Sequence, residues 1–121
     1  MTGELADAGY HRRRRALYEH RWTDPGGQGI RRPVVVVQGN PLNRSRLATV
    51  VCVPLTSNLT WEAAPGNTLL PAKVAGLPKD SVANASQLFA VDRTYLSSRI
   101  GKLAPKRLEQ ILASIDVVLG R

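Results

Sequence analysis

A chain of 121 residues, 43% of them hydrophobic, is one domain's worth of sequence, long enough to bury roughly two-thirds of its unfolded surface without a covalent staple. A single cysteine, Cys52, excludes an internal disulfide and a cysteine-built metal site, and no apolar run approaches the roughly 18 residues of a membrane span, so a soluble, cytoplasmic protein is expected. Residues 11–32 hold seven arginines against two acids, and residues 33–121 hold ten bases against five acids, within a formal net charge of +8; such a field favours polyanionic partners, with charge for solubility alone as the plainer alternative.

Residues 1–27 carry no period, an arginine run from Arg12 to Arg15 and the loop sequence Pro25-Gly26-Gly27, the pattern of a mobile basic arm. Within it, Ala16 to Trp22 reads as either a short strand or a helical turn. From residue 28 to 121 the signals are those of a domain. Val34 to Val37, bounded by Pro33 and by Gly39-Asn40-Pro41, predicts a strand covered on both faces. Asn40 to Ser45 predicts a turn, and Leu47 to Leu55 a second apolar strand with Pro54 near its end. Ser57 to Asn67 is a polar loop with Trp61 in its middle, followed by a short strand over Thr68–Leu70. Ala75 to Asp80 reads as a turn, Ser81 to Val91 as one strand and Ile100 to Leu103 as another. Leu108, Ile111, Leu112, Ile115 and Leu119 recur at helical spacing after Pro105 and before Gly120, which predicts an amphipathic C-terminal helix with Lys106, Glu109, Gln110 and Ser114 on its outer face. Several short strands and one terminal helix point to a mainly β, α+β fold: a small β-barrel with helical cover.

Two of these strand ends carry chemistry. Arg31-Arg32-Pro33 puts a permanent cation at the mouth of one strand, and Thr56-Ser57-Asn58 puts hydroxyl and amide groups at the end of the next. An arginine fork and a free hydroxyl together suit a phosphate. The plainer alternatives are an arginine that solvates a strand end and a threonine that caps a turn. Trp61 either stacks on an unpaired base, a contact of about 1–3 kcal/mol, or folds back over the domain. Arg44, Arg46 and Lys73 are either phosphate-tracking charges or ordinary solvated ones.

The strings RRPVVVVQ, NRSRLATVVCVPLTSN, LPKDSVANASQLFAVDR and IGKLAPKRLEQILASIDVVLG resemble, in order and spacing, the MazF/PemK family of toxin endoribonucleases. The resemblance covers about residues 28–120. It implies a PemK-like or SH3-like β-barrel with a C-terminal helix, a homodimer, neutralisation by a small MazE-like antitoxin, and metal-independent cleavage of single-stranded RNA with no cofactor. It further implies a catalytic role for Arg32, Thr56 and Gln87; Ser57, Asn58, Trp61, Arg44 and Arg46 are, from their own chemistry, the candidates for RNA contacts. The implied reaction is attack of the RNA 2′-hydroxyl on the adjacent phosphate, accelerated by positioning and charge stabilisation.

The sequence departs from the family pattern in two places. Ser86 precedes Gln87 where relatives carry an acid. Upstream of Arg32, only Gly27-Gln28-Gly29 is recognisable; either the arm supplies a substitute first strand, or the segment marks an altered reading frame or a decayed toxin. The competing readings are therefore a non-catalytic module that binds antitoxin or nucleic acid, a gyrase poison similar to CcdB, and a general basic RNA-binding barrel. The absence of an aromatic residue in Leu119-Gly120-Arg121 counts against the gyrase poison.

Overall fold

Val34–Val37 and Val50–Leu55 have no polar face to offer water, and the chain covers both of their faces. A computed structural model of the protein, which describes residues 17–23, 29–101 and 103–121, places them in one antiparallel sheet. Its strands are β1 (Leu17–Thr23), β2 (Gly29–Val36), β3 (Thr49–Thr56), β4 (Asn67–Leu70), β5 (Ser81–Asn84), β6 (Phe89–Asp92) and β7 (Leu96–Gly101), and its helices are α1 (Asn40–Asn43), α2 (Ala72–Ala75) and α3 (Pro105–Leu119). Short 3-10 turns occupy Leu59–Trp61, Ala85–Gln87 and Arg93–Tyr95.

The strand order is β4-β5-β3-β2-β1-β7, with β6 also paired to β3. Because side chains alternate along a strand, β2 and β3 feed two separate cores. On one face Val35, Val53 and Leu55 pack with Leu70, Ala83 and Ile111. On the other Val34, Val36, Val50 and Cys52 pack with Val91 and Leu96. The α+β class is as expected, but the barrel is not closed: β4 and β7 are the two edges of the path, and no ladder joins them among the described residues.

Several strand assignments change, and the strand expected over Ile100–Leu103 is β7, which begins earlier and ends at Gly101. Leu17–Thr23, left open above between strand and helical turn, is a strand with seven register pairs to β2, from Leu17↔Val35 to Thr23↔Gly29, and it also pairs β7. The rest of the expected arm, residues 1–16 and 24–27, lies outside the described residues. This pairing also extends β2 upstream, so Arg32 sits inside a strand opposite His20 rather than at its mouth.

The single strand expected over Ser81–Val91 is two strands with a 3-10 turn between them. Both pair with the same edge of β3, but Leu55 faces Ala83 while Cys52 faces Phe89. Three positions along β3 thus correspond to six along its partner, and the surplus leaves the ladder as the turn Ala85–Gln87. Gln87 is therefore in a turn, not in a strand.

The helix α3 follows its sequence pattern. Pro105 occupies its first turn, where a missing N–H costs nothing, and Gly120 ends it at φ 75°. Ile111 is fully buried, and Leu108, Leu112 and Ile115 pack on the same core; full burial of each such side chain contributes about 1.5–3 kcal/mol. Two residues differ from expectation. Ser114 turns toward the sheet, where its Oγ lies 2.9 Å from Thr68 Oγ1, and Leu119 is exposed because the stripe drifts off the sheet in the last turn.

At the other end of β3, the buried guanidinium of Arg93 donates to the carbonyl oxygens of Leu47 (2.6 Å), Asn43 (2.7 Å) and Leu42 (3.0 Å). Gln38 Nε2 donates to Asn43 Oδ1 at 3.0 Å. These bonds pin the α1 loop. Nearby, Thr94 donates its hydroxyl and then its N–H to Asp92, which holds that carboxyl below its ordinary range.

Candidate active site

Where β2, β3 and the turn before β5 converge, they wall a cleft of about 320 Å³. Arg32 and Pro33 of β2, Thr56 and Ser57 at the end of β3, and Pro78, Lys79 and Ser81 line it. Arg32 is exposed, and its guanidinium has no hydrogen-bond or ion-pair partner among the described residues. Among the described residues no carboxylate lines the cleft. Two positive charges and hydroxyl groups lining one cleft make an environment that selects an anion.

Thr56 ends β3. Its Oγ1 accepts the N–H of Asn58 at 3.1 Å, so the turn-capping role weighed above is real. The bond uses only a lone pair. The hydroxyl proton donates to nothing among the described residues and stays available to a ligand oxygen. Asn58 is more committed: its Oδ1 accepts from Thr60 N at 3.2 Å and Thr60 Oγ1 at 2.7 Å, the cap that starts the turn carrying Trp61.

A second cleft, about 260 Å³, lies on the other side of Thr56 and is lined also by Trp61, Ala64, Asn67, Asn84, Ser86 and Gln87. The register surplus against β3 puts Ser86 and Gln87 here, both exposed. Thr56 is thus common to both clefts, with Arg32 in one and Gln87 in the other. Arg44 and Arg46 are not brought to this site. They flank the loop pinned by Arg93 at the start of β3, about seven residues from Thr56 along the strand, roughly 23 Å at strand rise.

Lys79 and Ser81, and on the other side Asn67 and Asn84, are lining residues that sequence reasoning missed. The turn before β5 is fixed by Asp80 Oδ1 accepting the Ala72 N–H at 2.8 Å, and this turn brings Lys79 to the cleft that Arg32 also lines. The available signal was Gly76 and Pro78 ahead of a basic residue, but only the pairing of β5 with β3 carries that turn to Thr56. Among the described residues, no three His, Cys, Asp or Glu side chains gather as metal ligands, and no helix is long and apolar enough to cross a membrane.

The chain is similar to known proteins over most of its length. A family model for PemK-like, MazF-like toxins of type II toxin-antitoxin systems matches residues 13–119, a span that includes β1. The chain is 42% identical over 103 residues to endoribonuclease MazF6 of Mycobacterium tuberculosis, covering 81% of this chain and 90% of that protein. Among solved structures, the Mycobacterium tuberculosis toxin MazF-mt6 superposes with a TM-score of 0.72 at 19% identity, over 88% of this chain and 97% of that one. A mycobacterial endoribonuclease in complex with its cognate antitoxin superposes with a TM-score of 0.66 at 23% identity, over 85% and 91%.

Proposed function

Because the chain belongs to the PemK-like, MazF-like family of type II toxin-antitoxin toxins, we propose that it is the toxin of such a pair: an endoribonuclease that cuts single-stranded RNA, including messenger RNA, at selected sequences. The observation that carries this reading is Arg32, whose guanidinium has no partner among the described residues, in one cleft with Thr56, whose hydroxyl proton has no acceptor among them.

In this mechanism the RNA 2′-oxygen loses its proton and forms a bond to the adjacent phosphorus. The bond from phosphorus to the 5′-oxygen breaks, that oxygen takes up a proton, and a 2′,3′-cyclic phosphate and a 5′-hydroxyl end result. Charge on the non-bridging oxygens rises toward the transition state. Arg32 and Lys79 flank the place where it rises, and Thr56 donates into it. Preorganised donors of this kind act without reorienting during the reaction. Arginine is a poor proton acceptor, so its part is charge stabilisation and positioning. Gln87, an amide, orients the RNA rather than moving protons. A small antitoxin is the proposed partner, as in the complexed relative, and two copies of the chain form the active toxin in the cytoplasm.

The test is cleavage of a long single-stranded RNA in excess chelator, with the new ends mapped. Discrete fragments bearing 5′-hydroxyl ends are expected, and Arg32→Ala should lower the rate by about 10²–10³, the scale of losing one transition-state donor. Intact RNA, or Arg32→Ala cutting as fast as the wild type, would overturn the assignment.

A further inference from the structure

The cleft on the Gln87 side of Thr56 differs in kind from the one holding Arg32. Among the described residues no charged side chain lines it; its polar groups are the amides of Asn67, Asn84 and Gln87 and the hydroxyls of Thr56 and Ser86. An anion gains little there. Amides that donate and accept side by side instead match the edge of a nucleobase. At about 260 Å³ the space falls below the roughly 300–1,000 Å³ of pockets for larger ligands, which limits the occupant to one ring system.

Two features show that this cleft is held in shape. Asn67 Nδ2 donates to the Trp61 carbonyl at 2.7 Å, which ties the tryptophan turn to β4 and leaves the indole 52% exposed. Ser86 Oγ lies 2.7 Å from Asn84 Oδ1 and donates to it, which fixes the Asn84 amide by its oxygen. The two protons on Asn84 Nδ2 then have no acceptor among the described residues.

We infer that this cleft binds the single unpaired base of the nucleotide next to the scissile phosphate, stacked on Trp61, with Asn84 Nδ2 donating to an acceptor on its edge. The inference rests on the ribonuclease reading above. Thr56 is a wall of both clefts, so a phosphate held by Arg32 and Thr56 delivers the adjoining base and not a distant one. Asn84 is then a specificity-determining residue: a base that offers an exocyclic amine at this point sets donor against donor, whereas a carbonyl oxygen is accepted.

The experiment is cleavage of an RNA pool randomised around the cut, followed by sequencing of the ends. The wild type should show, at one nucleotide flanking the cut, a preference of about tenfold or more, the scale of one well-made base contact. Asn84→Ala should flatten that position to within about threefold while other positions keep their preferences. Asn84→Asp keeps the bond from Ser86 and replaces the donor by an acceptor, so preference should move toward bases with an exocyclic amine. Ser86→Ala, at an exposed position, frees the Asn84 amide to turn over and should broaden the same position; it tests the idea even if both Asn84 variants misfold, as judged by circular dichroism. Unchanged base preferences in folded Asn84 and Ser86 variants of a cleaving protein would overturn the inference and leave the ribonuclease assignment intact. Failure of the wild type to cut any RNA would remove that assignment and the inference with it.

Discussion

Thr56 is the side chain on which the two clefts depend. One lone pair of its hydroxyl holds the Asn58 N–H, and its proton points to chemistry rather than structure. Serine preserves both functions and valine neither. Thr56→Val should therefore slow single-turnover cleavage by on the order of 10²-fold, within the range for a lost transition-state donor, while Thr56→Ser stays within about fivefold of the wild type. Full activity in Thr56→Val with a loss in Thr56→Ser would show that the methyl group, not the hydroxyl, is what the site uses. Thr56 could be singled out in the sequence because a strand end followed by polar groups is a local pattern, and Arg32 as a cation beside the valine run, although β2 extends past it. Lys79 and Asn84 could not, because nothing local distinguishes a basic turn or an asparagine at a strand end from any other. Their relevance exists only once β5 lies beside β3. Arg44 and Arg46 are the converse case: near the motif in sequence, but at the far end of the strand in space.

At the level of elements, the seat of α3 against the β4 end of the sheet is sterically demanding. Gly66 precedes β4 with φ +84°, and a Cβ placed there would stand 2.7 Å from Val118 Cγ2. Two costs are thus combined at one residue: a left-handed backbone, about 1–2 kcal/mol for a side-chain-bearing residue, and displacement of the last turn of the helix. Gly66→Ala should lower the unfolding free energy measured in urea by about 2 kcal/mol. Adding Val118→Ala should return only the steric part, a coupling that a double-mutant cycle resolves; full additivity of the two changes would mean that the backbone alone sets the cost. The helix itself could be read from its 3.6-residue period and its flanking Pro105 and Gly120, and the two central strands from their β-branched runs. The break between β5 and β6 could not. Residues 81–91 are apolar enough to be one strand, and it is the mismatch of register along β3 that expels three of them.

For the whole molecule, charge and topology decide how RNA is held. Arg32 and Lys79 face one cleft within a strongly basic chain, so binding should weaken steeply as salt rises. With an RNA made uncleavable by a 2′-deoxy group at the cut, Lys79→Ala should reduce the slope of log affinity against log salt by about 0.7, the value for one phosphate contact on a single strand. An unchanged slope would place Lys79 outside the bound path. The overall architecture was accessible from the sequence mainly through family resemblance. The first strand was not, because β1 owes its position to partners on both sides, β2 and β7, rather than to an apolar pattern of its own. The three residues expelled from the β3 ladder have a consequence for substitution. Within Ala85–Gln87 only Ala85 is buried, and its N–H is held by the Gly66 carbonyl, so exchanges at the exposed Ser86 and Gln87 leave the strands that carry Arg32 and Thr56 in place. Such exchanges would reshape the Gln87 cleft and leave the Arg32 cleft as it is, separating the choice of RNA from the bond-breaking step of the proposed reaction.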